Sequence, residues 1–186
     1  MRKTSRAHSM VKVMRLVFAL VAVLVVCGGC RSLSARRFDS LVIRGTPQFG
    51  QQVESALQML REKSPAGYAT VTNYVGIIRQ GKHSGMRAEE NPPVFELNDR
   101  SAYHSVTWCA GVIAHDSFHS KLYHDHRKAN GSLVPGEIWV GHEAERKCLA
   151  HQQKVLKELG APAVEIDYCS KLSLDYSDVP YGKRDW

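Results

Sequence analysis

The sequence predicts an α+β domain in which two long helices pack together beside a small sheet that contributes an edge strand. Three observations carry that prediction. Apolar residues recur at helical spacing after Thr46, between Ser101 and Tyr123, and from Glu143 to Leu159. Short segments rich in β-branched and aromatic residues lie between the first two of these stretches, and Val94 to Leu97 is bounded by Pro93 and by Asn98-Asp99. At 186 residues, 44% hydrophobic and 23% charged, the chain suits one globular domain and excludes wholesale disorder, repeats and collagen-like structure.

In chain order, residues 31–44 have few periodic apolar positions and read as a tether, which leaves residues 46–186 as the domain. Thr46-Pro47 offers an N-cap followed by proline at the first helical position. Phe49, Val53, Ala56, Leu57 and Leu60 then form one apolar stripe, and Ser64-Pro65 and Gly67 stop the helix. Tyr68 to Ile78 alternates poorly and fits either a strand or a short helix running into one. Residues 81–93 are turn formers and charge, a loop, and Pro93 to Leu97 reads as the edge strand.

From Ser101 to about Tyr123 only Gly111 interrupts the helix formers, and Asp99 or Ser101 can cap the start. Val106, Cys109, Ala110, Ile113 and Leu122 are expected to face the core. Gly131, Pro135 and Gly136 make residues 130–141 a loop, after which a second long helix runs from Glu143 to Leu159 and is closed by Gly160. Pro162 opens a last short element. Residues 173–186 look irregular, with Tyr176, Tyr181 and Trp186 available to pin them to the body.

The formal charge of +7 does not imply a nucleic acid partner. Arg2, Lys3, Arg6, Lys12 and Arg15 all precede residue 30, where there is no acid, and without them 20 basic residues face 18 acidic ones. This basic opening is followed by eleven apolar residues, Leu16 to Val26, too few to span a bilayer comfortably, and residues 1–29 read as an export signal. Cys27-Gly-Gly-Cys30 resembles a bacterial lipobox, in which small residues precede the acylated Cys. The resemblance makes Cys30 the lipidation site, residues 30–45 a lipidated tether and the cell envelope the location, periplasmic or on the outer face. Plain secretion or an uncleaved anchor are the alternatives. Cys109, Cys148 and Cys169 then remain, either as buried free thiols or with a Cys148 to Cys169 bridge.

Among the nine histidines, His115 and His119 bear most directly on chemistry. Four residues on a helix is about 400°, so both imidazoles leave one face about 6 Å apart along the axis and can grip one divalent ion. A zinc site that keeps one position for water needs a third protein ligand. His126 is about 16 Å along the axis from His115 if the helix continues, out of reach. Asp125 could turn back only if the helix ended near Leu122. Glu143 and Glu145 open the second long helix. Glu145 shares a face with Cys148 and Gln152, so it is the preferred ligand and Glu143 the second choice. The plain alternatives are a solvated histidine pair and a glutamate placed in the first turn by the helix dipole.

A His-acid-x-x-His helix followed by a helix supplying Glu resembles the zincin metallopeptidases, specifically their gluzincin branch, over roughly Pro93 to Gly160. The resemblance implies a zincin-like fold, a strand at Val94 to Leu97 bordering the substrate cleft, and zinc on His115, His119 and Glu145. In that family the residue after the first histidine is Glu, which takes a proton from the metal-activated water. Here it is Asp116, shorter by one methylene, about 1.5 Å, and a misplacement of about 1 Å can cost about a hundredfold in rate. Tyr123, His124 and His142 are available as oxyanion stabilisers.

Two functions from different classes follow. One is an envelope-tethered zinc peptidase acting on a peptide or protein substrate; the other is a weak or inactive zincin-like lipoprotein that serves as a binding or structural module. A phosphohydrolase using His115 and Asp116 as ligands would need further His and Asp ligands at spacings the sequence does not offer.

Overall fold

Alternation too short to stand out in the sequence makes residues 34–45 a hairpin. In the computed structural model, which describes residues 34–131 and 133–172, β1 (Ser34–Phe38) pairs antiparallel with β2 (Leu41–Gly45). This corrects the tether reading for residues 34–45. Leu41 and Ile43 point into the core while Val42 and Arg44 point away, but two apolar positions beside Arg36 and Arg37 give no visible period. The export segment, Cys30 and the aromatic residues of the C-terminal tail lie outside the described residues.

The sheet has five strands in the order β1-β2-β3-β5-β4, with β3 at Ile77–Gly81, β4 at Gly85–Arg87 and β5 at Val94–Asn98. β2, β3 and β5 run parallel, while β4 pairs antiparallel with β5. The strand at 94–98 is therefore not the edge strand. The edges are β1 and, beside β5, β4, three residues inside the expected loop, too short for a periodic signal.

Helix α1 (Pro47–Lys63) starts as its sequence requires, the Thr46 hydroxyl accepting from Phe49 N at 3.3 Å. Ser64-Pro65 ends it but also begins α2 (Pro65–Tyr74), because proline suits the first turn of a helix as well as it stops one. The expected helix from Ser101 is two helices. Asn98 caps the short α3 (Asp99–Ala102), and Ser105 caps α4 (Val106–Asn130), its Oγ accepting from Trp108 N at 2.8 Å. Caps break the chain there without glycine or proline. At its far end α4 runs seven residues past Tyr123 to Asn130 and is capped by Gly131, whose φ of 100° suits glycine. Helix α5 (His142–Leu159) ends at Gly160, left-handed with φ 69°, and α6 (Ala163–Lys171) follows Pro162.

The core joins Leu41, Ile43, Ile78, Phe95 and Leu97 of the sheet to Phe49, Val53, Leu57 and Leu60 of α1, to Cys109, Ala110 and Ile113 of α4, and to Val155 and Leu159 of α5. Val106 packs partly buried against it, whereas Leu122 is only half-buried and stands outside it. Cys109, Cys148 and Cys169 are free and buried, so no Cys148 to Cys169 bridge is present. Glu165 of α6 accepts from Ser105 Oγ at 2.7 Å and from Thr107 Oγ1 at 2.6 Å, clamping α6 to the start of α4. Among the described residues no helix is long and apolar enough to cross a membrane.

Helices α4 and α5 pack tightly at Gly111, where a Cβ would lie 2.8 Å from Leu156 Cδ2. Gly111→Val is expected to force these helices apart and to cost about 1–3 kcal/mol in denaturant unfolding, the usual cost of overpacking. An unchanged midpoint would show that the contact is not tight.

Candidate metal centre

One face of α4 presents His115 and His119, and that face meets the first turn of α5. Position 111 of α4 lies against Leu156 and Gln152, while positions 115 and 119 lie against Glu145, so the two helices run antiparallel. The imidazole Nε2 atoms are 3.1 Å apart. Glu145 places Oε1 3.3 Å from His115 Nε2 and Oε2 3.1 Å from His119 Nε2. One ligand atom from each residue lies within 4.8 Å of the others, a set that could hold a metal ion.

Hydrogen bonding decides which of these atoms carry lone pairs. His119 Nδ1 lies 2.5 Å from the Trp139 carbonyl oxygen, which can only accept, so the ring proton sits on Nδ1 and Nε2 is bare. The carboxylate of Glu145 also only accepts. The lone pair of His119 Nε2 therefore faces those of Glu145 at 3.1 Å in a largely water-excluded pocket, an arrangement that repels unless positive charge sits between them.

Protons can supply that charge. Burial by itself would lower both imidazoles, yet the attraction of the Glu145 carboxylate outweighs it and both pKa values are raised. Burial likewise opposes ionisation of Glu145, but the two imidazoles hold it well below the ordinary carboxylate range. A cation is the other source. Zinc ligands at about 2.0–2.1 Å in a tetrahedron are about 3.3 Å from one another, close to the 3.1, 3.1 and 3.3 Å found between these groups. The donor set of two nitrogens and a carboxylate fits such an ion. His119 has the outer partner expected of a ligand, whereas His115 Nδ1 is buried with no hydrogen bond.

The cluster forms part of the wall of a cavity of about 160 Å³, with Asp116, Trp108, Val112, Trp139 and Tyr168 around it. Asp116 is 8% exposed, and its negative charge helps to raise His119. Tyr168 and Val140 stand on the exposed rim, and Tyr168 packs on Trp108 with ring centroids 5.4 Å apart.

Of the residues the sequence singled out, His115, His119, Glu145 and Asp116 are brought together. Glu143 is not. It is exposed and pairs with Arg146 at 2.7 Å and Lys147 at 3.6 Å, and the hydrogen bond from Arg146 pulls its carboxyl down to about 2. Asp125 cannot turn back, because α4 continues past it, and it accepts instead from Tyr74 and Lys121. Tyr123, His124 and His142 are not among the cavity-lining residues. The Trp139 carbonyl and Tyr168 escaped the sequence reading; a backbone acceptor has no side-chain signature, and Tyr168 reaches the cavity only through the packing of α6. Comparison with protein-family models, curated proteins and solved structures finds no match.

Beside the cluster, the His151 ring stacks on Phe118 at 4.7 Å and its Nε2 is buried without a partner. Burial, helped by Lys154, pushes its pKa from 6.5 down to about 4. A pKa depressed by folding contributes stability that is present above 6.5 and lost as pH falls toward about 4. His151→Gln should therefore lose less thermal stability than the parent chain between pH 7 and pH 4.5. Parallel melting curves across that window would refute the assignment.

Proposed function

We propose that the chain is an envelope-tethered, zinc-dependent metallopeptidase-like protein of zincin-like fold, anchored through an acylated Cys30, that hydrolyses peptide bonds of a peptide or protein substrate. The observation that carries this reading is the convergence of His115, His119 and Glu145 on one point of a cavity whose wall also holds Asp116. His115 and His119 would hold zinc from one helix and Glu145 from the next. When bound, zinc supplies Lewis acidity toward a carbonyl and lowers the pKa of a coordinated water toward neutrality.

The chain's own groups do the rest. The Trp139 carbonyl keeps the His119 ring in the tautomer that presents Nε2. Asp116 accepts the proton of the attacking water and passes it to the leaving nitrogen. Trp108, Val112 and Tyr168 give the cavity an apolar wall that seats a substrate side chain and excludes water.

A second reading is favoured by one specific observation, the aspartate at position 116. Its reach is shorter than that of glutamate by about one C–C bond, ~1.5 Å, which supports a weak or inactive zincin-like module that binds rather than cleaves.

Metal analysis of the purified chain should give one zinc per molecule, abolished in His119→Ala and retained in Glu143→Gln, since Glu143 is turned to solvent. Zinc retained after His119→Ala would reject the ligand set. Asp116→Glu separates the two readings, with turnover of an unstructured polypeptide as the readout. A weakened peptidase gains about tenfold to a hundredfold, whereas a binding module stays silent with its zinc intact.

A further inference from the structure

We propose that the side of the sheet turned away from the helices is a docking surface for an anionic phospholipid bilayer. The helical core takes Ile43, Ile78 and Phe95, which are register partners across β2, β3 and β5. The neighbouring registers, Val42 with Ile77 and Val94, and Arg44 with Arg79 and Glu96, therefore face the other way. Ile77 and Val94 are buried, yet neither belongs to a helical core cluster.

Four arginines share that outer side. Arg37 stands opposite Val42, Arg44 opposite Arg79, and Arg87 opposite Val94. Glu96 is the one carboxylate carried there by the strands, and it is already divided between Arg79 at 2.6 Å and Arg87 at 3.0 Å. Arg37 and Arg44 are both exposed and form no ion pair among the described residues. The face thus keeps positive charge over an apolar middle. Guanidinium forks match phosphate oxygens in pairs, and a side of the sheet with no described helix upon it presents them toward a plane rather than into a groove.

Chain length points to the same occupant, in a docking mode that rests on the anchored reading above. Three residues lie between Cys30 and Ser34, so the two are four steps of chain apart, at most about 14 Å when fully extended. An acylated Cys30 therefore holds the edge strand β1 within one to two screening lengths of the headgroups, about 8–10 Å each. An arginine kept near an anionic surface gains about fivefold in occupancy. Strand order puts β4 at the opposite edge, about 19 Å away across four strand spacings. Met86 of β4 lines the metal cavity from the helical side of the sheet, so docking by the arginine face leaves that cavity open to a substrate.

The test is arginine footprinting with phenylglyoxal on the full chain, carried on vesicles of phosphatidylcholine alone or mixed with phosphatidylglycerol and read by mass spectrometry. Arg37 and Arg44 are expected to label about fivefold more slowly on the anionic vesicles. That difference should vanish at high salt, while the exposed Arg100 and Arg146 label alike on both. Equal rates on the two vesicle types, or equal slowing on both, overturn the docking surface. The mass of the N-terminal peptide reports acylation separately. Protected arginines with an unmodified Cys30 uphold the surface and remove the anchor; an acylated Cys30 with unprotected arginines does the reverse.

Discussion

A bare imidazole nitrogen and a carboxylate, two groups that can only accept, lie within a hydrogen bond's length of each other and largely away from water, and they repel unless positive charge sits between them. That constraint organises the middle of this protein. The Trp139 carbonyl takes the only proton that the neutral His119 ring has to offer, and Glu145 has none. Together with His115 these groups can take up protons, or could hold a metal ion among them.

Much of the fold serves to hold the two helices at the separation this requires. A glycine at position 111 lets α4 and α5 approach closely, Leu156 filling the space a side chain would have taken. The loop between them brings the Trp139 carbonyl onto His119 of α4, and the Glu165 carboxylate ties α6 to the start of α4 through two hydroxyls. Glu145 sits in the first turn of α5, where the positive end of the helix dipole favours a carboxylate. Dipole and imidazoles act in the same direction on that group, which explains an ionised glutamate in a buried place.

The sheet separates two environments. Its helical side carries the core and, at the β4 edge, part of the cavity wall. Its other side carries arginines with a single strand carboxylate among them. Parallel pairing of β2, β3 and β5 is what aligns Arg44, Arg79 and Glu96 in one row, since equal register in parallel strands sends side chains to the same face.

By itself the sequence determined the α+β class, the capped start of α1 at Thr46, the closure of α5 at Gly160, and the placing of His115 and His119 on one face of a helix. Each depends on interactions within a few residues, or on a helical period sustained over several turns, and such signals survive in one dimension. Tertiary structure alone decided the rest. Residues 34–45 became a hairpin because β3 lies beside β2 to receive it, and three residues at 85–87 became the edge because β5 offered a free row of backbone groups. Glu143 and Glu145 are two residues apart, so about 200° of helix turn sends one to solvent and the other to the imidazoles. Which of them faced inward was set by the packing of α5 on α4. The Trp139 carbonyl became part of the site by the path of a loop, and a backbone oxygen is the same in every residue, so no letter of the sequence could mark it.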